Sequence, residues 1–133
     1  MKDLQGLFTH FLRDMYYAEK KILDTLPKMA KQADAKELRE AFDEHHKETK
    51  AQVSNLEKIF KALDLKPRGV TCEAINGIID EGKEIMKECD DPDLCDAGMI
   101  AAAQAVEHYE ITRYGTMVAW AKQLGMQSEA TLL

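Results

Sequence analysis

The chain has 133 residues, 45% apolar and 32% charged, with a formal net charge of −6, enough for one domain (residues 1–133) with a core of its own. The acidic balance and the lack of a basic stripe argue against a nucleic-acid partner. No apolar run approaches the roughly 20 residues of a membrane span, and the opening Met-Lys-Asp-Leu-Gln lacks the layout of a secretory signal.

Apolar periodicity predicts helices throughout. The first covers about residues 3–33, with Leu4, Phe8, Phe11, Met15, Ile22 and Met29 three or four apart. Pro27 lies inside it and predicts a kink near Leu23, whose carbonyl loses its partner. Asp34, followed three residues on by Glu37, reads as a capping box that opens the second helix. That helix buries Leu38, Phe42, Leu56, Ile59 and Leu63 and stops at Leu65-Lys66-Pro67-Arg68-Gly69. So short a link makes the first two helices an antiparallel hairpin with arms of roughly 45 Å.

Thr71 is the candidate N-cap of a shorter third helix, which ends near Lys87 and buries Ile75, Ile78, Ile79 and Ile85. Asp90-Asp91-Pro92-Asp93 is a turn with Pro92 at a first helical position. The fourth helix then runs to about Leu124 and ends at Gly125, a residue suited to a left-handed cap. Ser128-Glu129-Ala130 begins a fifth helix, and the sequence stops at Leu133. The expected fold is all-α: an antiparallel bundle with a short crossover helix and its last long helix cut off. Three long helices would expose an apolar groove, which predicts a homodimer formed through it or the loss of a tail from a longer product.

The apolar stripes are interrupted at their centres. On the second helix the stripe reads Leu38, Phe42, His45, Thr49, Gln52, Leu56, Ile59, Leu63, with Glu48 three residues after His45. On the fourth it reads Ala97, Ile100, Gln104, Glu107, Ile111, Tyr114, Val118, Ala121, with Glu110 three after Glu107. On the first, Glu19 lies between Met15 and Ile22. Carboxylates at core depth need a positive partner, and the nearby Lys and Arg residues fall on other faces. Glu19, His45, Glu48, Glu107 and Glu110 are therefore the candidate ligands of two metal ions. Hard oxygen donors with an imidazole suit iron or manganese, and dinuclear carboxylate bundles use such Glu and i, i+3 pairs. Gln52, Gln104, Thr49 and Tyr114 are candidate donors that orient the carboxylates, and Asp14 is a spare candidate to one side.

Each signal also has an ordinary explanation. Glu19 has Lys20 and Lys21 beside it and could be a solvated seam residue. His45 could be a hydrogen-bonded core histidine, and the polar residues could form a core network. Only their alignment at one level favours metal. Three cysteines (Cys72, Cys89 and Cys95) are an odd set in an unsignalled chain and point to a reducing cytoplasm. Cys89 and Cys95 have no further ligand at zinc spacing.

Three stretches carry a resemblance: residues 12–20 (LRDMYYAEK), residues 45–49 (HHKET) and residues 102–111 (AAQAVEHYEI). Together with Tyr114-Gly115-Thr116 and the Cys72-Glu73-Ala74 opening of the third helix, they make the whole chain similar to the YciE/YciF family of ferritin-like stress proteins. The resemblance implies a bundle related to rubrerythrin and bacterioferritin, a dinuclear metal centre and induction under stress. Two features depart from that pattern. The helix starting near Glu129 is short, and His45-x-x-Glu48 reverses the usual Glu-x-x-His order. The implied activity is redox chemistry on O2, peroxide or Fe(II), with Tyr109 or Tyr114 passing an electron or proton. The alternatives are a metal-free dimeric interaction or structural protein and, more weakly, iron sequestration.

Overall fold

In the computed structural model, which describes residues 1–133, Asp3 opens the first helix, α1 (Leu4–Gln32), by accepting from the Gly6 N–H at 2.8 Å. The helix passes through Pro27 without a break. The second helix, α2 (Lys36–Ala62), is not opened by the expected capping box: Ala35 is its N-cap and offers no side-chain bond. Instead the Asp96 carboxylate, from another helix, accepts from the N–H groups of Asp34 and Ala35 at 2.9 Å each. One bidentate anion at a helix N-terminus satisfies two orphan donors and meets the positive end of the dipole.

The end of α2 is a Schellman motif. Leu65 N–H donates to the Phe60 carbonyl at 2.9 Å and Asp64 N–H to the Lys61 carbonyl at 3.0 Å, with Asp64 at φ +57°. The connecting segment then lies tightly along α1. Val70 N–H donates to the Arg13 carbonyl at 3.3 Å, and a Cβ on Gly69 would stand 2.8 Å from that of Tyr17, so only glycine fits there.

The third helix, α3 (Glu73–Glu88), starts one residue later than expected, with Cys72 rather than Thr71 as its N-cap and the Cys72 Sγ accepting from Ile75 N–H at 3.4 Å. Ile75 and Ile79 are buried and Ile78 is half-buried, but Ile85 points outward. The fourth, α4 (Pro92–Gln123), has Pro92 at its first position, as expected, and Asp91 as its N-cap, accepting from Leu94 N–H at 3.0 Å. It ends in a second Schellman motif, with Gly125 at φ +76° and Met126 N–H donating to the Ala121 carbonyl at 2.8 Å. A short α5 (Gln127–Leu132) follows. Cys89 and Cys95 form a disulfide, with Cα atoms 5.4 Å apart, that ties the end of α3 to the start of α4. Only Cys72 is free. The α3–α4 turn set at Pro92 brings the two thiols within bonding reach.

The result is a helical bundle with α1 at its centre. α1 packs most extensively on α2, α3 lies on α4 and against α1, and α5 touches α4 and α2. The backbones of α2 and α4 stay apart, which leaves a groove bridged only by side chains between them. One hydrophobic cluster joins all five helices and includes Phe8, Leu12, Met15, Leu56, Ile59, Ile75 and Met117. The stripe expected on α4 is turned by one residue. Met99, Val106, Glu110, Met117 and Ala121 are buried, while Ile100 is 43% and Ile111 67% exposed. α4 has apolar residues on most of its faces, so its orientation follows from the contact with α1 and α3. No helix is long and apolar enough to cross a membrane.

Candidate metal centre

Glu19 sits mid-way along α1 between core residues Met15 and Ile22, and its side chain is 0% exposed. Glu110, one residue off the expected stripe on α4, comes inward with the corrected phase of that helix and is 6% exposed. The two carboxyls meet. His45 reaches them from α2, with Nε2 3.5 Å from Glu110 Oε1. With its amide turned so that the nitrogen faces the carboxylates, Gln52 donates to Glu19 Oε2 and, at 3.1 Å, to Glu110 Oε2.

No Lys or Arg neutralises this pair; His45 is the basic side chain that reaches it. The ion pairs of the chain are Lys36–Glu40, His45–Glu110 and Arg113–Asp14. Burial, followed by the hydrogen bond and the charge of Glu110, pushes the Glu19 carboxyl up to about 10. His45 is raised above its ordinary value, first by its hydrogen bond to Glu110 against the opposing effect of burial, then by the charges of Glu110, Glu107 and Glu48. Tyr114 is raised by burial and then by Glu19 and Glu110. Two polar atoms at this level are buried without a partner, Glu19 Oε1 and the Tyr114 hydroxyl. Such atoms are rare in folded proteins and call for a ligand, a proton or a cation.

Glu48 and Glu107 are exposed and stand at the rim. With His45, Gln52, Glu110 and Tyr114 they line an open groove of about 310 Å³ between α2 and α4. Four of the five residues singled out from the sequence thus border one groove, and Glu19 closes its floor through Glu110. They do not all converge at an interior point, however. No three of the His, Cys, Asp and Glu side chains come close enough in this arrangement to hold an ion.

The structure also sorts the neighbouring candidates. Gln52 and Tyr114 belong to the layer, but the Thr49 hydroxyl donates to its own helix, at the His45 carbonyl, 2.7 Å away. Asp14 faces elsewhere: Arg113 lies 3.9 Å from its Oδ2, and the Tyr109 hydroxyl donates to it at 3.5 Å. The Tyr109 hydroxyl is also 3.1 Å from the buried Cys72 Sγ, and it is raised by burial first and by Cys72 second. Tyr109 is therefore tied to the Cys72 side and not to the carboxylate layer. No motif spacing signals this Cys72–Tyr109–Asp14–Arg113 chain, because Asp14 and Tyr109 alone lie 95 residues apart.

Residues 3–133 match the model of a family described as "Domain of unknown function (DUF892)". The chain is 38% identical over 134 residues to Protein YciF of Escherichia coli (strain K12), covering 100% of this chain and 81% of that protein. Among solved structures, YcfI of Rhodopseudomonas palustris, described as a candidate structural protein, superposes with a TM-score of 0.96 at 45% identity, over 98% of this chain and 83% of that one. The Escherichia coli stress protein YciF superposes with a TM-score of 0.93 at 38% identity, over 99% of this chain and 84% of its own.

Proposed function

The chain belongs to the DUF892 family, and we propose that it is a stress-response protein whose carboxylate layer holds a dinuclear non-haem centre of iron or manganese. The observation that carries this reading is the contact between Glu19 and Glu110, two buried carboxyls with no Lys or Arg paired to them. In a metal-free protein such a pair must keep a proton. A cation would take the place of that proton, and the partnerless Glu19 Oε1 offers it a free lone pair. Four carboxylates and an imidazole, with no thiolate, form a donor set that suits iron or manganese over softer metals.

In this reading Glu19 and Glu110 hold the ions from beneath and His45 from α2. Glu48 and Glu107, which border the groove, would complete the ligand set. When bound, the ions supply redox chemistry with O2, peroxide or Fe(II) that side chains alone do not provide. The protein's own residues do the rest. Gln52 donates to both buried carboxylates and fixes their orientation. The Tyr114 hydroxyl, buried beside them, has a proton to offer a group in the layer. The open groove admits small solutes from the α2–α4 side.

Elemental analysis of protein purified from iron- and manganese-supplemented cells tests the reading. About two ions per chain are expected, with the content falling toward zero in Glu19→Ala and Glu110→Ala. Wild-type protein that binds no iron or manganese would sink it.

A second reading is a metal-free bundle with a structural or interaction role. It is supported by the failure of any three potential ligands to converge and by the description of YcfI. Metal-free protein whose stability is unmoved by added Fe(II) or Mn(II) would favour it. In either reading Ile100 and Ile111, which share one exposed face of α4, support self-association as a homodimer, which sedimentation equilibrium tests directly.

A further inference from the structure

We propose that the bundle contains a dioxygen-binding cavity on the far side of His45 from the acidic groove. The cavity lies where α3 crosses α1 and α4 and measures about 30 Å³. The surface it exposes is apolar, with Ile22, Ile78, Ile79, Met86 and Val106 around it and the side chains of Lys83 and His45 at its edge. Thr25 also borders it, but its hydroxyl donates to the Lys21 carbonyl at 2.8 Å and has no free proton to offer.

Size and chemistry together choose the occupant. The space holds about one or two water-sized particles, but a buried water needs roughly two to four polar partners, and neither Lys83 nor His45 turns a polar atom toward it. An uncharged apolar molecule of two heavy atoms fits, and dioxygen, which dissolves better in hydrocarbon than in water, has that size and character. The cavity does not close by collapse, because α3 and α4 are already in contact beside it: a Cβ on Gly82 would lie 3.0 Å from that of Ala102.

Position gives the cavity a use. His45 borders both the apolar cavity and the acidic groove, so the imidazole separates a hydrocarbon-like space from the carboxylates. Binding of the gas needs no metal. Its delivery past His45 to a dinuclear centre rests on the reading proposed above.

Nuclear relaxation of methyl-labelled, metal-free protein under dissolved dioxygen reads the site. Paramagnetic enhancement is expected at the methyls of Ile22, Ile79 and Val106, above that of the core residues Leu12 and Ile59. Ile78→Phe, on a helix that gives no ligand to the carboxylate layer, fills the space and should abolish the excess. Ile78→Val, which removes one methylene and so spares the fold, should increase it. Enhancement no greater than at Leu12 and Ile59, or a bound water detected in the cavity, overturns the proposal. Those results leave the metal reading intact, because metal content is measured separately. A chain that binds the gas but no metal keeps the cavity and loses only the centre it would feed.

Discussion

Replacing Glu19 with Gln probes the buried carboxyl pair where its energetic consequence is largest. In the metal-free protein Glu19 is raised from 4.5 to about 10, by burial first and by Glu110 second. An acid raised in this way keeps its proton in the folded state and releases it on unfolding. The unfolded state therefore gains from ionisation above about pH 4.5, and stability falls with rising pH until about pH 10. Each pH unit is worth about 1.4 kcal/mol, so between pH 4.5 and neutrality this carboxyl removes about 3 kcal/mol. That is a large share of the roughly 5–15 kcal/mol that holds an ordinary domain together. His45 works in the same direction: its raised value gives stability that is present below 6.5 and is lost as the pH rises through the folded value.

Gln keeps the size of Glu and a donor for Glu110 but does not titrate. Urea unfolding in chelator from pH 5 to pH 8 should show the Glu19→Gln variant gaining on wild type by about 1.4 kcal/mol per pH unit. Parallel profiles for the two proteins would refute the argument, because they would mean that Glu19 is ionised in the fold. Fe(II) or Mn(II) should reverse the wild-type slope, since a metal competes with the proton and is favoured at higher pH.

Gln52→Leu leaves two buried carboxyls without their shared donor and should cost about 1–3 kcal/mol in urea unfolding, with no such loss if the amide faces solvent. Asp96→Ala removes the carboxylate that accepts from Asp34 and Ala35, and is expected to cost about 1–2 kcal/mol. It should also speed hydrogen exchange at those two amides, which checks that the loss lies at the α2 terminus. Reduction of Cys89–Cys95, separated by only six residues, is expected to cost about 2 kcal/mol in a thermal melt with and without reductant, because the loop it closes is short.

The candidate layer was legible in part. Glu19, His45 and Glu110 interrupt otherwise apolar helices at one level, and periodicity shows that without coordinates. Glu107 was expected in the core and stands at the groove's rim, because the α4 stripe was taken through Ile100 and Ile111, which the fold leaves exposed. A helix with apolar residues on several sides carries no phase of its own. Glu48 sits three residues from His45, but that offset rotates it out to the rim.

Sequence alone determined the elements. Spacing of apolar residues, Asp3 and Asp91 as caps, Pro92 at a first turn and Gly125 at a last one are local physics, and they act within a few residues. Tertiary structure decided the rest. Asp96 caps a helix 61 residues away, the Cys72 Sγ lies against the Tyr109 hydroxyl of another helix, and two thiols meet across a turn. It also chose which carboxyls are buried together, because desolvation depends on what every neighbouring helix covers, and no single helix contains that information.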